Sequence, residues 1–367
     1  MTGLLSLSLV AFGCSTRALD LDIPTFEASN EPGVLAIVRE MVAQLAVDEQ
    51  RLYWSGERLG LVGPDNFFVL HSCLKRDCAA TLVTYYAEQS WAGKPPIFSV
   101  QGGQIYWYRQ ESSELLACAV AGCIGSPRSV ATVKFNVAAF GDDQFYFAVK
   151  SGFRRYSIYG ASLSQPGVPQ VIAYSVHTVA AAGQSDDALV LAIATDDANV
   201  YWVSVGDGES DSKLMRTRKD GASAIETVTT DLRFSRFFGI GMTTDETAIY
   251  WTNNQLAGAI KRCPVAGCAE SSDVMAPLRA PRGLQIDGSE LYYLYEAEPF
   301  QYTLASCSLP ACATPRELAV GLDETSVAID DQYVYVATTE QHLSTDTTYV
   351  PTGTRLRRLP KPDRALP

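Results

Sequence analysis

The sequence Thr243-Thr-Asp-Glu-Thr-Ala-Ile-Tyr-Trp-Thr-Asn253 is followed, after Asn254-Gln-Leu-Ala257, by Gly258-Ala-Ile-Lys-Arg-Cys-Pro-Val-Ala-Gly-Cys268. The first stretch combines an acidic turn with a run of β-branched and aromatic residues, which suits a half-buried β-strand. The second stretch predicts another strand that enters a tight hairpin flanked by two cysteines. The chain around residue 250 is therefore predicted to fold as consecutive antiparallel strands.

Weaker copies of this pattern recur along almost the whole chain of 367 residues. Seven aromatic strands align on Tyr53, Tyr106, Tyr146, Tyr201, Tyr250, Tyr292 and Tyr335. From the first marker to the last the chain runs 282 residues over six intervals, a mean period of 47. This period is typical of four-stranded propeller blades and longer than that of most helical repeats. Almost no 3.6-residue apolar period lies between the markers, which favours an all-β fold.

Each repeat is interpreted as four strands, named A to D. Strand A is a short apolar run that ends at the acidic turn, as in Leu45-Ala-Val-Asp48, and strand B carries the marker tyrosine. Strand C enters the hairpin, as in Ala259-Ile-Lys-Arg-Cys263, and strand D leaves it, as in Asp273-Val-Met-Ala276. Where cysteines are missing, turn residues such as Lys219-Asp-Gly221 are expected to close the C–D hairpin.

The two ends of the chain predict how the ring closes. A spare strand, Gly33–Arg39, precedes the first strand A, and only Thr354–Leu359 follows the last strand B. One N-terminal strand and three C-terminal strands would complete a seventh blade, which covers the terminal strand edges. The fold class is thus an all-β, seven-bladed propeller of four-stranded blades. Six or eight blades remain the alternative, because the second and third repeats lack Asp at the usual place.

The aspartate-led Tyr-Trp strand resembles that of the YWTD and NHL propeller superfamily, and Tyr250-Trp-Thr-Asn253 is the copy most similar to the motif. The resemblance covers about residues 33–360. It implies a propeller fold but leaves function open, since such propellers serve as receptor ectodomains, scaffolds, lyases and lactonases. Lactonase-type propellers hold a metal with Glu, Asn and Asp around the pore, and that pattern cannot be matched to residues of this chain.

Eight of the nine cysteines form four C-x4-C pairs, and the ninth is Cys14. The pairs are Cys73/Cys78, Cys118/Cys123, Cys263/Cys268 and Cys307/Cys312. Opposed strand residues lie about 4.5–5.5 Å apart, a separation that a disulfide spans. Zinc is the alternative that this spacing permits. However, the pairs belong to different repeats, and His71 is the only histidine near any of them, so disulfides and an oxidising compartment are favoured.

The N-terminal residues predict export. Leu4–Gly13 is apolar but too short to span a bilayer, which needs about 20 residues, and it is typical of a signal peptide. Ala11 and Gly13 before Cys14 resemble a bacterial lipobox, in which the cysteine receives diacylglycerol; an ordinary secretory leader is the alternative. We divide the chain into a signal peptide (1–13), a lipid-anchored tether (14–32), a β-propeller (33–360) and a C-terminal tail (361–367). The expected location is the outer membrane, as a lipoprotein, or else the periplasm or the medium.

The composition and the motifs of the chain narrow the range of functions that it could have. The net charge of −12 and the lack of a basic stripe argue against a nucleic-acid partner. The chain contains three histidines, which are well separated in sequence, and it lacks the common catalytic motifs. We therefore predict no catalytic residue, no metal ligand and no cofactor. The repeated turn aspartates are expected to bond backbone amides rather than form a carboxylate site; they are Asp48, Asp196, Asp245, Asp287 and Asp330.

Topology indicates where a partner would bind. The A–B and C–D turns share one face of a propeller, and the B–C and D–A loops share the other. Variable loops are expected on the second face, and recognition usually resides on such loops; they are 56–66, 174–187, 206–213, 230–238 and 339–353. Arg and aromatic residues are typical binding anchors, and the predicted ligand-binding set is Arg233, Arg236, Phe237, Phe238, Trp91 and Arg282. Packing of Phe237 and Phe238 between blades is the alternative.

The sequence therefore predicts a non-enzymatic, lipid-anchored cell-envelope propeller. It would bind a protein, peptide or glycan on its loop-rich face and contact the membrane only through its lipid. The alternative is a propeller-type lyase or lactonase with a site at the pore mouth. A purely structural envelope protein is a third possibility.

Overall fold

The computed structural model of the chain is built from 28 β-strands in its described residues. These residues are 31–58, 66–90, 95–123, 126–135, 137–141, 143–152, 155–165, 167–177, 190–204, 212–233, 240–268, 270–299, 301–322, 325–343 and 349–361. The strands form seven antiparallel sheets of four strands each. Within the described residues there is no helix with the length and apolar character that crossing a bilayer requires.

Six blades each consist of four consecutive strands, and the seventh combines both ends of the chain. Blade 1 contains β2 (Glu40–Val47), β3 (Arg51–Arg58), β4 (Asn66–Leu74) and β5 (Val83–Ser90); blade 2 contains β6 (Phe98–Gln101), β7 (Gln104–Arg109), β8 (Glu114–Ala119) and β9 (Arg128–Thr132). Blade 3 contains β10 (Val137–Phe140), β11 (Gln144–Gly152), β12 (Arg155–Ser162) and β13 (Gln170–His177); blade 4 contains β14 (Val190–Thr195), β15 (Asn199–Ser204), β16 (Lys213–Arg218) and β17 (Glu226–Thr229). Blade 5 contains β18 (Met242–Thr244), β19 (Ala248–Asn253), β20 (Gly258–Pro264) and β21 (Ser272–Leu278); blade 6 contains β22 (Arg282–Asp287), β23 (Glu290–Glu298), β24 (Gln301–Ser308) and β25 (Arg316–Leu322). Blade 7 contains β26 (Thr325–Ile329), β27 (Tyr333–Leu343), β28 (Tyr349–Pro360) and β1 (Val34–Val38).

The predicted closure is confirmed. Strand β1 pairs antiparallel with β28, with Val38 opposite Thr354 and Ala36 opposite Leu356. The blade count is therefore seven, and the alternatives of six and eight blades are wrong. Because β1 supplies the outermost strand of blade 7, the chain ends complete a sheet with hydrogen bonds rather than leaving it three strands wide.

The tyrosine–tryptophan pair explains why this sequence forms a ring of blades. Successive side chains of a strand point to opposite faces of its sheet. In blade 1, Tyr53 accordingly packs with Phe98 and Trp107 of blade 2, whereas Trp54 packs with Tyr335 of blade 7. Tyr53 and Trp54 are both fully buried. Seven such apolar clusters occur in the described residues, one between each pair of adjacent blades.

Every outer strand contains a β-bulge at the same place, which the sequence had not predicted. In blade 5, Ile260 pairs with Met275 but the next residue, Lys261, pairs with Asp273, so Val274 is an extra residue. The equivalent extra residues of all seven blades are Leu35, Tyr85, Val130, Ile172, Val228, Val274 and Leu318. A bulge bends and twists a strand, which makes the outer edge of a blade a poor template for another chain.

The structure shortens several of the predicted loops. Residues 339–353 were expected to be a variable B–C loop, but most of them extend β27 and β28. Pairing continues from Thr339 opposite Thr354 to Leu343 opposite Tyr349. Similarly, residues 56–58 belong to β3 and residues 174–177 belong to β13. Antiparallel strand pairing, with a register shift between Glu340 and Gln341, thus replaces part of the expected loop structure.

Candidate functional site

The two faces of the propeller differ in how much their connections vary. We call the face with the A–B turns and C–D hairpins the turn face, and the opposite face the loop face. The A–B turns contain two or three residues in every blade, and the C–D hairpins contain seven or eight. On the loop face, the B–C connections range from two to eight residues and the D–A connections from one to twelve. The predicted concentration of length variation on the loop face is confirmed.

On the turn face, the A–B aspartates are held by hydrogen bonds within their own turns. The Oδ1 atom of Asp245 accepts the backbone N–H groups of Thr247 and Ala248, both at 2.7 Å. Its Oδ2 atom accepts the hydroxyl of Tyr250 at 2.9 Å. We call this arrangement the Asp–Tyr clamp. It links the turn to the aromatic side chain of strand B, so the carboxylate serves the fold.

Three other blades repeat the clamp with the same spacing. The pairs are Asp48 with Tyr53 at 2.5 Å, Asp196 with Tyr201 at 2.6 Å and Asp330 with Tyr335 at 2.8 Å. Asp287 differs, because its carboxylate pairs with Lys361 of blade 7. The prediction that these aspartates stabilise turns is therefore confirmed for four of them.

The clamps account for the shifted pKa values on this face. Burial acts to raise the pKa of Asp245, but hydrogen bonds from Thr247, the turn backbone and Tyr250 outweigh it and hold the pKa below its usual value. Burial and the hydrogen bond to Asp245 raise the pKa of Tyr250 to about 12. Both shifts stabilise the form that each group already has at neutral pH. They favour a fixed hydrogen bond over proton transfer.

Four disulfides brace the C–D hairpins. The paired cysteines are those predicted, with Cα–Cα distances of 4.7 Å for Cys73–Cys78, 5.3 Å for Cys118–Cys123, 5.5 Å for Cys263–Cys268 and 4.9 Å for Cys307–Cys312. The zinc alternative is thereby replaced by disulfide bonding. Disulfides persist in oxidising compartments, so they indicate an exported protein.

Side chains also join neighbouring blades. Lys75 of blade 1 donates to Asp330 of blade 7 on the turn face. Nearer the axis, the amide of Gln44 bonds the backbone of Phe98 in both directions, at 2.9 and 3.1 Å. The Gln285 amide likewise donates to the carbonyl of Val327 in the next blade. These bonds connect inner strands whose backbones do not pair, and they fix the blades relative to one another.

Two of the predicted ligand-binding residues lie in the described chain. Arg233 has an exposed side chain, and its backbone N–H donates to Oδ1 of the buried Asn253 at 3.1 Å. Arg282 is the first residue of β22, and its guanidinium lies 3.5 Å from the ring centroid of Tyr302. Arg282 therefore packs on an aromatic ring of its own blade, while Arg233 projects from a position fixed by blade 5. The other four predicted residues, Trp91, Arg236, Phe237 and Phe238, lie outside the described residues.

One acid–imidazole pair is buried in blade 1 and was not found from the sequence. Nε2 of His71 lies 3.9 Å from Oε1 of Glu40, and the two residues are only 3% and 1% exposed. Burial lowers the pKa of His71 to about 4, and the positive charge of Arg58 acts in the same direction. Burial raises the pKa of Glu40, against the attraction of Arg58. The pair is too enclosed to meet a substrate, since neither side chain reaches solvent to a useful extent.

Grooves on the turn face are lined by both polar and apolar groups. One groove of about 640 Å³ crosses the A–B turns of blades 3, 4 and 5, and one of about 500 Å³ lies between blades 7 and 1. Exposed acidic residues follow the clamp aspartates, namely Glu49, Asp197, Glu246 and Asp331. Among the described residues, no three His, Cys, Asp or Glu side chains are placed to hold a metal ion together.

These features define the class of protein as a seven-bladed β-propeller closed by its N-terminal strand. Solved propellers share this fold. The β-propeller domain of the Trilobed protease from Pyrococcus furiosus, described as having an open velcro topology, is 7% identical over 89% of this chain and 99% of its own, with a TM-score of 0.57. The propeller part of the resemblance to YWTD and NHL proteins is thus confirmed.

Two larger proteins also share the fold with this chain. Prolyl oligopeptidase B from Galerina marginata is 11% identical over 87% of this chain and 51% of its own, with a TM-score of 0.57. A puromycin-hydrolyzing peptidase from Mycobacterium tuberculosis is 11% identical over 90% of this chain and 56% of its own, with a TM-score of 0.53. This chain thus spans about half the length of each peptidase. No family model and no curated protein matches the chain. At these identities the likeness concerns the fold alone.

Proposed function

We propose that the protein is a non-enzymatic, exported binding propeller that is anchored by a lipid on Cys14 and holds a protein, peptide or glycan on its loop face. The observation that supports this function is the contrast between the faces. Turn-face connections keep nearly constant lengths, and their aspartates are bonded within the fold, whereas loop-face connections vary from one to twelve residues. Variable connections on a rigid scaffold are where recognition usually resides.

The proposed binding surface consists of Arg233, Arg236, Phe237, Phe238, Trp91 and Arg282. Arg233 supports it, because its exposed cationic side chain extends from a backbone fixed by Asn253. Arg282 supports it as well, since stacking on Tyr302 restrains the guanidinium before a partner arrives. Such restraint lowers the entropy lost on binding. Arginine and aromatic side chains together are typical of the residues that dominate binding energy.

The route of the chain is consistent with a membrane tether. Gly33 accepts a hydrogen bond from the backbone of Arg358, close to where β28 ends on the turn face. A tether over residues 14–32 would therefore reach the propeller from the turn face, and the loop face would point away from the lipid. This domain division, with a signal peptide at 1–13 and a tail at 361–367, forms part of the proposal.

Binding to envelope extracts tests the surface. The wild-type chain and the double variant Arg233→Ala/Arg282→Ala would be compared by pull-down, and cross-links between chain and partner would be mapped by mass spectrometry. The control is Arg218→Ala, which removes an exposed arginine from the turn face. We expect the double variant alone to lose the partner, with cross-links on the loop face. Equal capture by all three proteins, or cross-links confined to the turn face, would refute the surface.

Fractionation tests the anchor separately. Cys14→Ser removes the proposed lipid acceptor, so the variant should move from the membrane fraction to the soluble fraction while its propeller stays folded. A variant that remains in the membrane fraction would contradict lipid anchoring through Cys14. This outcome would leave the loop-face proposal intact, because that proposal depends on a different part of the chain.

A further inference from the structure

Blade 3 departs from the repeat at two positions around one tyrosine. Tyr146 is the marker tyrosine of this blade, but the residue five positions earlier is Gly141 instead of a clamp aspartate. The residue that pairs with it across the sheet is Gly160. In the other blades this second position holds Ser72, Ala117, Arg216, Arg262, Ser306 or Arg358. Both side chains that could flank the tyrosine ring are therefore missing from blade 3.

The backbone conformation does not explain these glycines, and close neighbouring atoms explain Gly160 better than Gly141. Neither Gly141 nor Gly160 has a positive φ, so other residues could adopt the same backbone. A Cβ atom on Gly160 would lie 3.2 Å from Cε1 of Tyr146 and 3.4 Å from Cδ1 of Ile172. A Cβ atom on Gly141 would lie 3.5 Å from Cε2 of the same tyrosine. Gly160 therefore lets its backbone approach one edge of the aromatic ring closely, whereas a Cβ atom at position 141 would be in ordinary contact with the other edge.

Gly160 and Tyr146 line a groove of about 670 Å³ between blades 3 and 4. The described residues that line it include three glutamines, one serine and two apolar side chains; they are Gln144, Gln165, Gln170, Ser162, Ile172 and Val168. Lys219 and Asp220, on the C–D hairpin of blade 4, lie on its rim and carry opposite charges. The lining is therefore polar and close to neutral.

The three glutamine amides are available for a ligand. None of their side chains bonds to another residue in the described part of the chain. By contrast, Gln44 and Gln285 use their amides to connect inner strands. An amide offers two donors and two acceptor sites, so three of them present a mixed set of donors and acceptors along one groove.

We propose that this groove is a saccharide-binding site. The hydroxyls of a sugar both donate and accept hydrogen bonds, which matches amide and hydroxyl side chains. Its C–H surface can pack on Ile172 and Val168, and the paired charges of Lys219 and Asp220 disfavour a strongly ionic ligand. The groove volume falls within the range of small-ligand sites. Where residues that depart from a repeat lie close together in the structure, they are expected to serve function rather than folding.

This site is separate from the loop-face surface, because it lies beside C–D hairpins. Either proposal could therefore fail without the other. Its ligand could be a free oligosaccharide or the end of a larger envelope glycan. Both sources present the same hydroxyl chemistry, and the experiment distinguishes them by the probe.

Calorimetry and nuclear magnetic resonance with the full chain, disulfides intact, test the proposal. The probes are a panel of neutral mono- and disaccharides, including glucose, galactose, mannose, N-acetylglucosamine and their β-linked dimers, and separately purified peptidoglycan. We expect at least one saccharide to bind and to perturb signals of Gln144 or Gln170. Binding of the small sugars indicates a free ligand, and binding of the polymer alone indicates an envelope glycan. If neither class of probe binds, the proposal is wrong.

Substitutions then locate the site. Gly160→Arg places in blade 3 the residue that blades 4, 5 and 7 carry, so it should fill the groove and weaken binding by about tenfold or more. Ser306→Arg adds an arginine at the matching position of blade 6 and is the control. Gln170→Ala, at an exposed position, should weaken binding without affecting folding, and it decides the matter if Gly160→Arg does not fold. If Gly160→Arg folds and binds the saccharide with wild-type affinity, the assignment of the groove as the binding site is wrong. If Gly160→Arg does not fold, wild-type affinity in Gln170→Ala leads to the same conclusion.

Discussion

The Nζ atom of Lys75 lies 2.5 Å from Oδ2 of Asp330, although 255 residues separate them in sequence. The bond joins the C–D hairpin of blade 1 to the A–B turn of blade 7, across the closure of the ring. Both side chains are mostly buried, at 12% and 17% exposure. Asp330 also accepts the hydroxyl of Tyr335, so one carboxylate connects the closure to the core of blade 7.

Removing the lysine should weaken the closure. We expect Lys75→Ala to lower the free energy of unfolding by about 1 kcal/mol, near the upper limit for ion pairs at a protein surface. Amide hydrogen exchange should also become faster in β1 and β28, since this blade is held by both chain ends. Lys213→Ala changes an exposed lysine and is the matched control. Equal urea denaturation curves for the two variants would contradict a role in closure.

Loss of a clamp should cost more than loss of a neighbouring acid. Asp245→Ala removes two backbone bonds and the bonds from the hydroxyls of Thr247 and Tyr250, so we expect destabilisation of about 2–3 kcal/mol. Glu246→Ala, an exposed acid in the same turn, should change stability by less than about 0.5 kcal/mol. Because the pKa of Asp245 is lowered on folding, its contribution is complete above the unfolded value and is lost as the pH falls through the folded value. Thermal unfolding at pH 7 and pH 3 measures both effects.

Stability should fall on mild acidification because of His71. Its pKa of about 4 in the folded protein lies below the ordinary value of 6.5. Stability that depends on the neutral imidazole is therefore complete above pH 6.5 and is lost as the pH falls towards 4, by about 3 kcal/mol. The pKa of Glu40 is raised in the folded protein, so the stability that depends on its protonated carboxyl group is lost as the pH rises.

A titration of unfolding free energy between pH 4 and pH 7 separates these effects. His71→Gln should flatten the slope over this interval, and Glu40→Gln should not. The positive charge of Arg58 acts on both groups and is unchanged in the two variants. Identical slopes for wild type and His71→Gln would show that the imidazole does not control the pH dependence.

An aspartate at position 141 should stabilise blade 3. In Gly141→Asp, the new carboxylate would lie near the ammonium group of Lys219, whose Nζ atom is 3.7 Å from the position of the added Cβ atom. We expect a gain of about 1 kcal/mol, typical of an added charged hydrogen bond in a compatible backbone. Gly167→Asp changes an exposed glycine of the same blade and should give no gain. A lower melting temperature for Gly141→Asp would show that this glycine is needed by the fold.

Intact mass tests the bridges in solution. Four disulfides predict that reduction adds eight hydrogens to the chain. Replacing both Cys263 and Cys268 by serine should lower stability by about 2 kcal/mol, since the closed loop is short. A mass unchanged by reductant would contradict bridging of all four pairs.

Much of the fold could be predicted because each repeat contains the signals for its strands and turns within a short stretch of sequence. An aspartate, a short turn and a Tyr-Trp strand are adjacent in sequence, and each aromatic pair fills two interfaces between blades. The closure was also predictable, because Gly33–Arg39 has no partner strand within its own repeat. These inferences needed only periodicity and strand counting.

Other features depend on contacts between distant residues. The Glu40–His71 pair forms only when β2 and β4 lie in one sheet, and no local pattern indicates it. Lys361, which the sequence assigns to the C-terminal tail, is buried and pairs with Asp287 of blade 6. The bulges in the outer strands need pairing registers, which a sequence does not display. The unusual glycines of blade 3 were visible, but only the structure places both beside Tyr146.

The meeting of the chain ends in one blade has a consequence for how this ring could be rebuilt. The backbone of Arg358 donates to the carbonyl of Gly33 at 2.8 Å, so a short linker could join the two ends covalently. New termini opened at 178–189 would leave blade 7 assembled from continuous chain. The circular permutant would still have seven four-stranded sheets, although its blades would be synthesised in a different order. Synthesis order and architecture are therefore separable in this protein.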